Sequence, residues 1–175
     1  THRPQKLSVI AYDQGRNQIR VYRHSKFAIH PDKNSSSQAR IHANARAMPG
    51  NSGGAVVDQR GILVGILASG DGKFSEIIPI KHLNSVIKNS DPKHEKGFFE
   101  VGSAIRKCAD LLFESRNIPK KPPSEMVQKL KSKCFKSKNK MLFDQAGRTF
   151  GKWWMHKISE TFLLESLRLD PRSPS

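Results

Sequence analysis

The chain has 175 residues, enough for one sizeable core with an appendage and too few for two ordinary large domains. Lys and Arg number 31 against 15 Asp and Glu, a formal net charge of +16, which draws the molecule toward anionic polymers or surfaces at low salt and leaves the fold open. No run of eighteen apolar residues occurs, so no transmembrane segment is expected, and the opening THRPQKLSV lacks the charged-then-apolar layout of a secretion signal. Thr1 in place of Met predicts a processed chain or an excerpt from a longer product.

From Lys6 to about Ile80 the apolar residues come in short β-rich runs: KLSVIAY, QIRVY, KFAIH, GAVVD, GILVGILA and SEIIPI. Each is bounded by Gly, Asn, Asp, Ser or Pro, which predicts a small antiparallel all-β unit with three strands before Ser52 and three after it. HPDKNSSSQAR, after the third run, reads as a polar loop. In IKHLNSVIKNS, Ile80, Leu83, Val86 and Ile87 stand at helical spacing and predict a short helix, which DPKHEKG breaks.

From Phe98 to Arg116, the residues Val101, Ala104, Ile105, Cys108, Leu111 and Leu112 mark one face of an amphipathic helix. NIPKKPPS is a stiff break. Ser124 is then placed to cap a helix whose seam is Met126, Val127, Leu130 and Cys134, its other faces being lysine. In WWMHKISETFLLESLRLD, Trp154, Ile158 and Phe162 recur at intervals of four, and PRSPS reads as a frayed tail. The expected division is a β unit over residues 1–90 and a basic α-helical extension over 91–175.

Cys108 and Cys134 show neither a CxxC nor a Cys/His spacing, so no structural zinc or other metal is expected, and nothing in the chain calls for a cofactor. In an oxidising compartment the two could pair; two reduced, buried thiols fit the sequence equally well.

The segment MPGNSGGAVVD sets one hydroxyl among backbone-permissive residues. A serine is a poor nucleophile at neutral pH, so a site that uses one exposes it on a sharp turn and aims amide hydrogens at the developing oxyanion. Gly50 permits a conformation costly to other residues, and Gly53 and Gly54 keep side chains away from a substrate backbone. On this reading Ser52 attacks while the Gly50 and Ser52 N–H groups form the oxyanion hole.

PGNSGGAVVDQRGILVGILASG followed by FSEIIPIKHLNSVI resembles the nucleophile segment and C-terminal strands of chymotrypsin-like (trypsin-like) serine proteases. The resemblance covers about residues 6 to 90 and is strongest from His42 to Ile87. It implies a mostly β fold, the six-stranded antiparallel C-terminal barrel of that family, followed here by helices. It further implies that Ala68, Ser69 and Gly70 bind the substrate's extended backbone as an added strand. Two positions depart from the pattern. Asn51 stands where digestive relatives carry an Asp that pairs with a freshly cut amino terminus, and Ala55 stands where proline is common.

The resemblance also implies a histidine base and an orienting acid in the order His, Asp, Ser. His30, before a Pro-Asp turn, and His42, in a strand approaching the serine loop, lack the family's setting and read as surface or loop histidines. Asp13 and Asp32 read as turn residues. The base and acid are therefore expected upstream, on a missing N-terminal barrel, and this chain alone is expected to have little or no peptidase activity. Arg46 and Glu76 are charges near the family's specificity pocket and read as solvated. The resemblance favours a secreted or periplasmic setting.

Between Lys120 and Lys140 there are eight lysines and one acid, Glu125, a density suited to nucleic acid, polyanionic glycan or an acidic membrane surface, although a solvated lysine-rich helix is the default reading. Phe135 alone lies inside the run, and Trp153 and Trp154 are expected to pack in a core. The function expected is a serine endopeptidase fragment acting on polypeptide. The alternative is a non-catalytic peptide- or polyanion-binding module on a protease-like barrel.

Overall fold

Alternation at period two and helical spacing divide the chain into strands and then helices, and the computed structural model describes residues 2–3, 6–71, 73–90, 92–118 and 122–173. The strands are β1 (His2–Arg3), β2 (Ser8–Asp13), β3 (Gln18–Val21), β4 (Ala28–Ile29), β5 (Ile41–Ala43), β6 (Ala55–Val57), β7 (Leu63–Gly70) and β8 (Ser75–Pro79). The helices are α1 (Lys81–Lys88), α2 (Glu95–Ser115), α3 (Ser124–Ser137), α4 (Lys140–Lys152) and α5 (His156–Leu169). None of the described helices is long and apolar enough to cross a membrane. Two compact units result, one of residues 1–89 with 172–175 and one of residues 90–171.

In the first unit the strands form one antiparallel sheet in the order β1-β4-β5-β8-β7-β6-β2-β3. Its inner face is written by alternation: Val9 and Ala11 of β2 are buried while Tyr12 is exposed, and Ser75, Ile77 and Pro79 of β8 are buried. Leu7, Val9, Tyr22, Ile41, Val56, Leu67 and Ile77 make the core. Each large apolar side chain there contributes about 1.5–3 kcal/mol of burial.

The six-stranded closed barrel expected from the resemblance is not formed. The sheet is open, with β1 and β3 at its two ends. Closure needs a continuous strand over KFAIH, but Asn44 Oδ1 accepts the Lys26 and Phe27 N–H groups at 2.9 and 3.2 Å, and the Ser25 N–H donates to Leu7 O at 2.7 Å. Only Ala28–Ile29 is left as strand, and it pairs with β1 and β5. Ile19 and Val21, on the outward face of β3, are exposed. A mostly β chain is also overturned, because helices of 8, 21, 14, 13 and 14 residues outweigh strands of two to eight.

Two irregularities shape the sheet near its serine loop. The β6–β7 register shifts between Val56 and Val57, and the β7–β8 register passes from Leu67↔Ile77 to Ser69↔Glu76, leaving Ala68 as an extra, unpaired residue.

The second unit is built from α2 to α5. Leu112, Leu130, Phe143, Phe150, Trp153 and Phe162 are buried, and Phe162 stacks on Phe150 with centroids 5.6 Å apart. Cys108 of α2 and Cys134 of α3 form a disulfide, which resolves the two alternatives left by the sequence. Helix α4 was not foreseen: Asn139 caps it by accepting the Leu142 N–H at 3.2 Å, and a Cβ on Gly147 would lie 2.7 Å from Leu163 Cγ of α5. Ser124 opens α3 as its first residue and does not cap it. Trp153 is core, but Trp154 is exposed at positive φ between α4 and α5.

Candidate active site

The loop from Met48 to Gly54 joins β5 to β6 and carries the serine. Its two reversals fall on glycine, Gly50 at φ +91° and Gly53 at φ +88°, conformations that a side chain strains. Gly54 is glycine for space, since a Cβ there would lie 2.6 Å from Ala11 Cβ and 2.9 Å from the Asn51 and Ile10 carbonyl oxygens.

Asn51 holds the loop down. It is buried, its Oδ1 accepts the Met48 N–H at 2.8 Å, and its Nδ2 donates to Tyr12 O at 2.9 Å and to the Tyr22 hydroxyl at 3.2 Å. Sequence reasoning missed this tether, because its partners stand 39 and 29 residues away.

The main-chain donors of the loop separate into two groups. Met48 donates to Asn51 Oδ1, Asn51 to Met48 O, Gly53 to Leu67 O and Gly54 to Asn51 O. Among the described residues the Gly50 and Ser52 N–H groups donate to nothing. The Ser52 side chain between them is exposed, and its Oγ donates to Ala68 O at 2.9 Å, the carbonyl of the bulged residue of β7.

Ser52, Ser69 and Gly70 line one cavity of about 540 Å³, closed on the other side by Ala47, Met48 and Pro49. A Cβ on Gly70 would lie 3.1 Å from Ala47 Cβ, so glycine keeps this wall narrow. The carboxyl of Asp71 stands at the same cavity, held below the usual carboxylate range by the Phe74 and Lys73 N–H groups. Ser69 Oγ donates to Glu76 Oε2 at 3.0 Å, so Glu76 is an acceptor for a neighbouring strand and not a free surface charge.

The remaining singled-out residues lie elsewhere. His42 is fully buried in β5, in register with Glu76, and is neither a surface nor a loop residue. His30 follows β4 and is half-buried, with its imidazole pKa lowered by burial first and then by positive charges that include Lys81. Asp13 ends β2, where its Oδ1 accepts the Gly15 N–H at 3.1 Å, and the Asp32 carbonyl closes a turn to the Ser35 N–H at 3.1 Å. None of these four bonds to Ser52 among the described residues. Arg46 faces a different cavity from the one beside Ser52. Among the described residues no group of three or more His, Cys, Asp or Glu is placed to hold a metal ion.

In the lysine run, Lys120 and Lys121 lie outside the described residues. Lys129, Lys131, Lys133, Lys136 and Lys138 are exposed on or just after α3, and Lys129 pairs with Glu125 at 2.6 Å. No protein-family model matches the chain, and no curated protein matches it.

Proposed function

We propose that this chain carries the nucleophile and oxyanion donors of a serine endopeptidase that acts on extended polypeptide through an acyl-enzyme at Ser52. One observation carries the reading: the exposed Ser52 hydroxyl stands on a two-glycine turn whose Gly50 and Ser52 amides are disengaged while the loop's other four are bonded. Such a turn leaves two donors for an oxyanion next to the attacking oxygen. The adjoining cavity, walled by Leu67, Met48 and Ala47 with Asp71 also lining it, suits a side chain of the substrate, and the β7 segment Ala68–Gly70 suits main-chain pairing with its backbone.

The Ser52 hydroxyl bonds to a carbonyl, which orients it and does not deprotonate it. A histidine base and its orienting acid therefore come from a polypeptide segment other than the one described here. The Cys108–Cys134 bridge supports work in an oxidising compartment. The exposed lysines of α3 support contact with a polyanion, for which salt-sensitive retention on an anionic column is the expected sign.

A fluorophosphonate probe tests the reading on the full-length product in its native context. Labelling at Ser52 that disappears in Ser52→Ala, with unchanged circular dichroism, is the expected result. A folded product that stays unlabelled overturns the enzyme and leaves a peptide-binding module.

A further inference from the structure

Beside the serine loop lies a second cavity, of about 460 Å³, and its lining is dominated by one side-chain type. Arg16, Arg20, Arg23 and Arg46 all face it, against the single carboxylate of Asp13. That carboxylate is already engaged, since Arg20 lies 3.4 Å from Asp13 Oδ2. Among the described residues the guanidinium groups of Arg16, Arg23 and Arg46 make no bond at all. Arg16, Arg23 and Arg46 are exposed, so three guanidinium forks with no acceptor among the described residues stand at one cavity, each with the geometry to take a carboxylate.

The cavity adjoins the Ser52 site. Met48 and Pro49 line both, so the two are separated by one two-residue ridge. The β2–β3 hairpin bearing Arg16 lies against the serine loop: Asn51 donates to Tyr12 O of β2 at 2.9 Å, and Gln14 approaches Gly50 so closely that a Cβ there would lie 3.3 Å from its Oε1. The arginines also follow an open edge, since Arg16 precedes β3, Arg20 is in it and Arg23 follows it, and β3 is a terminal strand of the sheet. Terminal strands present unpaired main-chain groups to which an extended peptide adds.

We propose that this arginine cavity is a subsite for acidic side chains, Asp or Glu, of the same polypeptide whose neighbouring segment lies over Ser52. The inference rests on the endopeptidase reading for the identity of that polypeptide. A nucleic acid fits less well, because Asp13 sits among the arginines and the one aromatic ring at the cavity, Tyr22, is buried and offers no stacking face.

The test uses the Ser52→Ala chain, which cannot turn the probe over, and a fluorescein-labelled decapeptide carrying four Glu, compared with the same peptide carrying four Gln. Anisotropy at about 0.1 M salt, where long-range surface attraction is already screened, reads the difference. The Glu peptide is expected to bind about tenfold more tightly or better, the effect of one or two charge-assisted contacts. That preference is expected to vanish in Arg23→Gln/Arg46→Gln and to persist in Lys129→Gln/Lys131→Gln/Lys133→Gln. Equal binding of the two peptides, a preference that survives the arginine changes, or one that is lost with the lysines overturns the proposal. A single-stranded oligonucleotide that binds the same arginines more tightly than the Glu peptide also overturns it, in favour of a nucleic-acid site. Because binding is read without catalysis, an unlabelled Ser52 with intact Glu-peptide preference removes the nucleophile alone. Labelling without that preference removes only the subsite.

Discussion

Asn51 sits immediately before the serine, and changing it tests whether the loop is held as described. Asn51→Ala removes three hydrogen bonds at once, to the Met48 N–H, Tyr12 O and the Tyr22 hydroxyl. At about 1 kcal/mol net for each, the loss is about 3 kcal/mol. Hydrogen exchange resolved to peptides from β2, β6 and β7 is the suitable assay, and its slowest amides are expected to exchange about a hundredfold faster. Asn51→Asp is the sharper variant. The introduced carboxyl matches the amide only when protonated, because only then can it donate to Tyr12 O. Folding thus favours its protonated form and raises its pKa above the unfolded value. The variant approaches wild-type stability below about pH 4 and loses it as pH rises through the folded-state pKa. An Asn51→Asp protein as stable at neutral pH as the parent refutes the donor role assigned to Nδ2.

Two further expectations follow from the same geometry. Reduction of Cys108–Cys134, which closes a loop of sequence separation 26, is expected to cost the helical unit about 3.5 kcal/mol in the chain-entropy account. A urea titration read by tryptophan fluorescence, with and without reductant, measures it, and coincident curves refute it. His30 and His82 both have lowered pKa values, burial being the first cause in each, so the folded state favours neutral imidazole and stability falls as pH drops below about 6.5. Thermal unfolding between pH 5 and pH 8, intervals bracketing the reference histidine value, is expected to show that slope, flattened in His30→Gln.

The strands were legible where side chains alternate between turn residues, as in Ser8–Asp13 and Ser75–Pro79, because one face of each is buried and the other is not. The open sheet was not legible. It depends on the Asn44 side chain taking two N–H groups from Lys26 and Phe27, a long-range choice no local pattern records. Helix α4 was not assigned from the sequence; it carries Gly147 and Gly151, poor helix formers, and packs because Leu163 occupies the space beside Gly147. At the serine, the need for glycine at position 50 could be read directly, whereas Gly53, read as clearing space, stands at positive φ as well. The Asn51 tether and the arginine cavity could not, since both arise only when the turn after β2 is folded against the serine loop.

The extra residue in β7 has an outcome of its own. Were Ala68 paired in a regular ladder, Ser69 would project to the same side as Leu67, into the hydrophobic interior; with Ala68 bulged out, Ser69 lies opposite Glu76 while Leu67 remains opposite Ile77. One strand therefore runs in two phases, with Leu67 opposite the buried Ile77 and Ser69 opposite Glu76 at the cavity beside Ser52. On the proposed reading, exchanges at Ser69 alter the cavity beside Ser52 while Leu67 and Ile77 keep their packing.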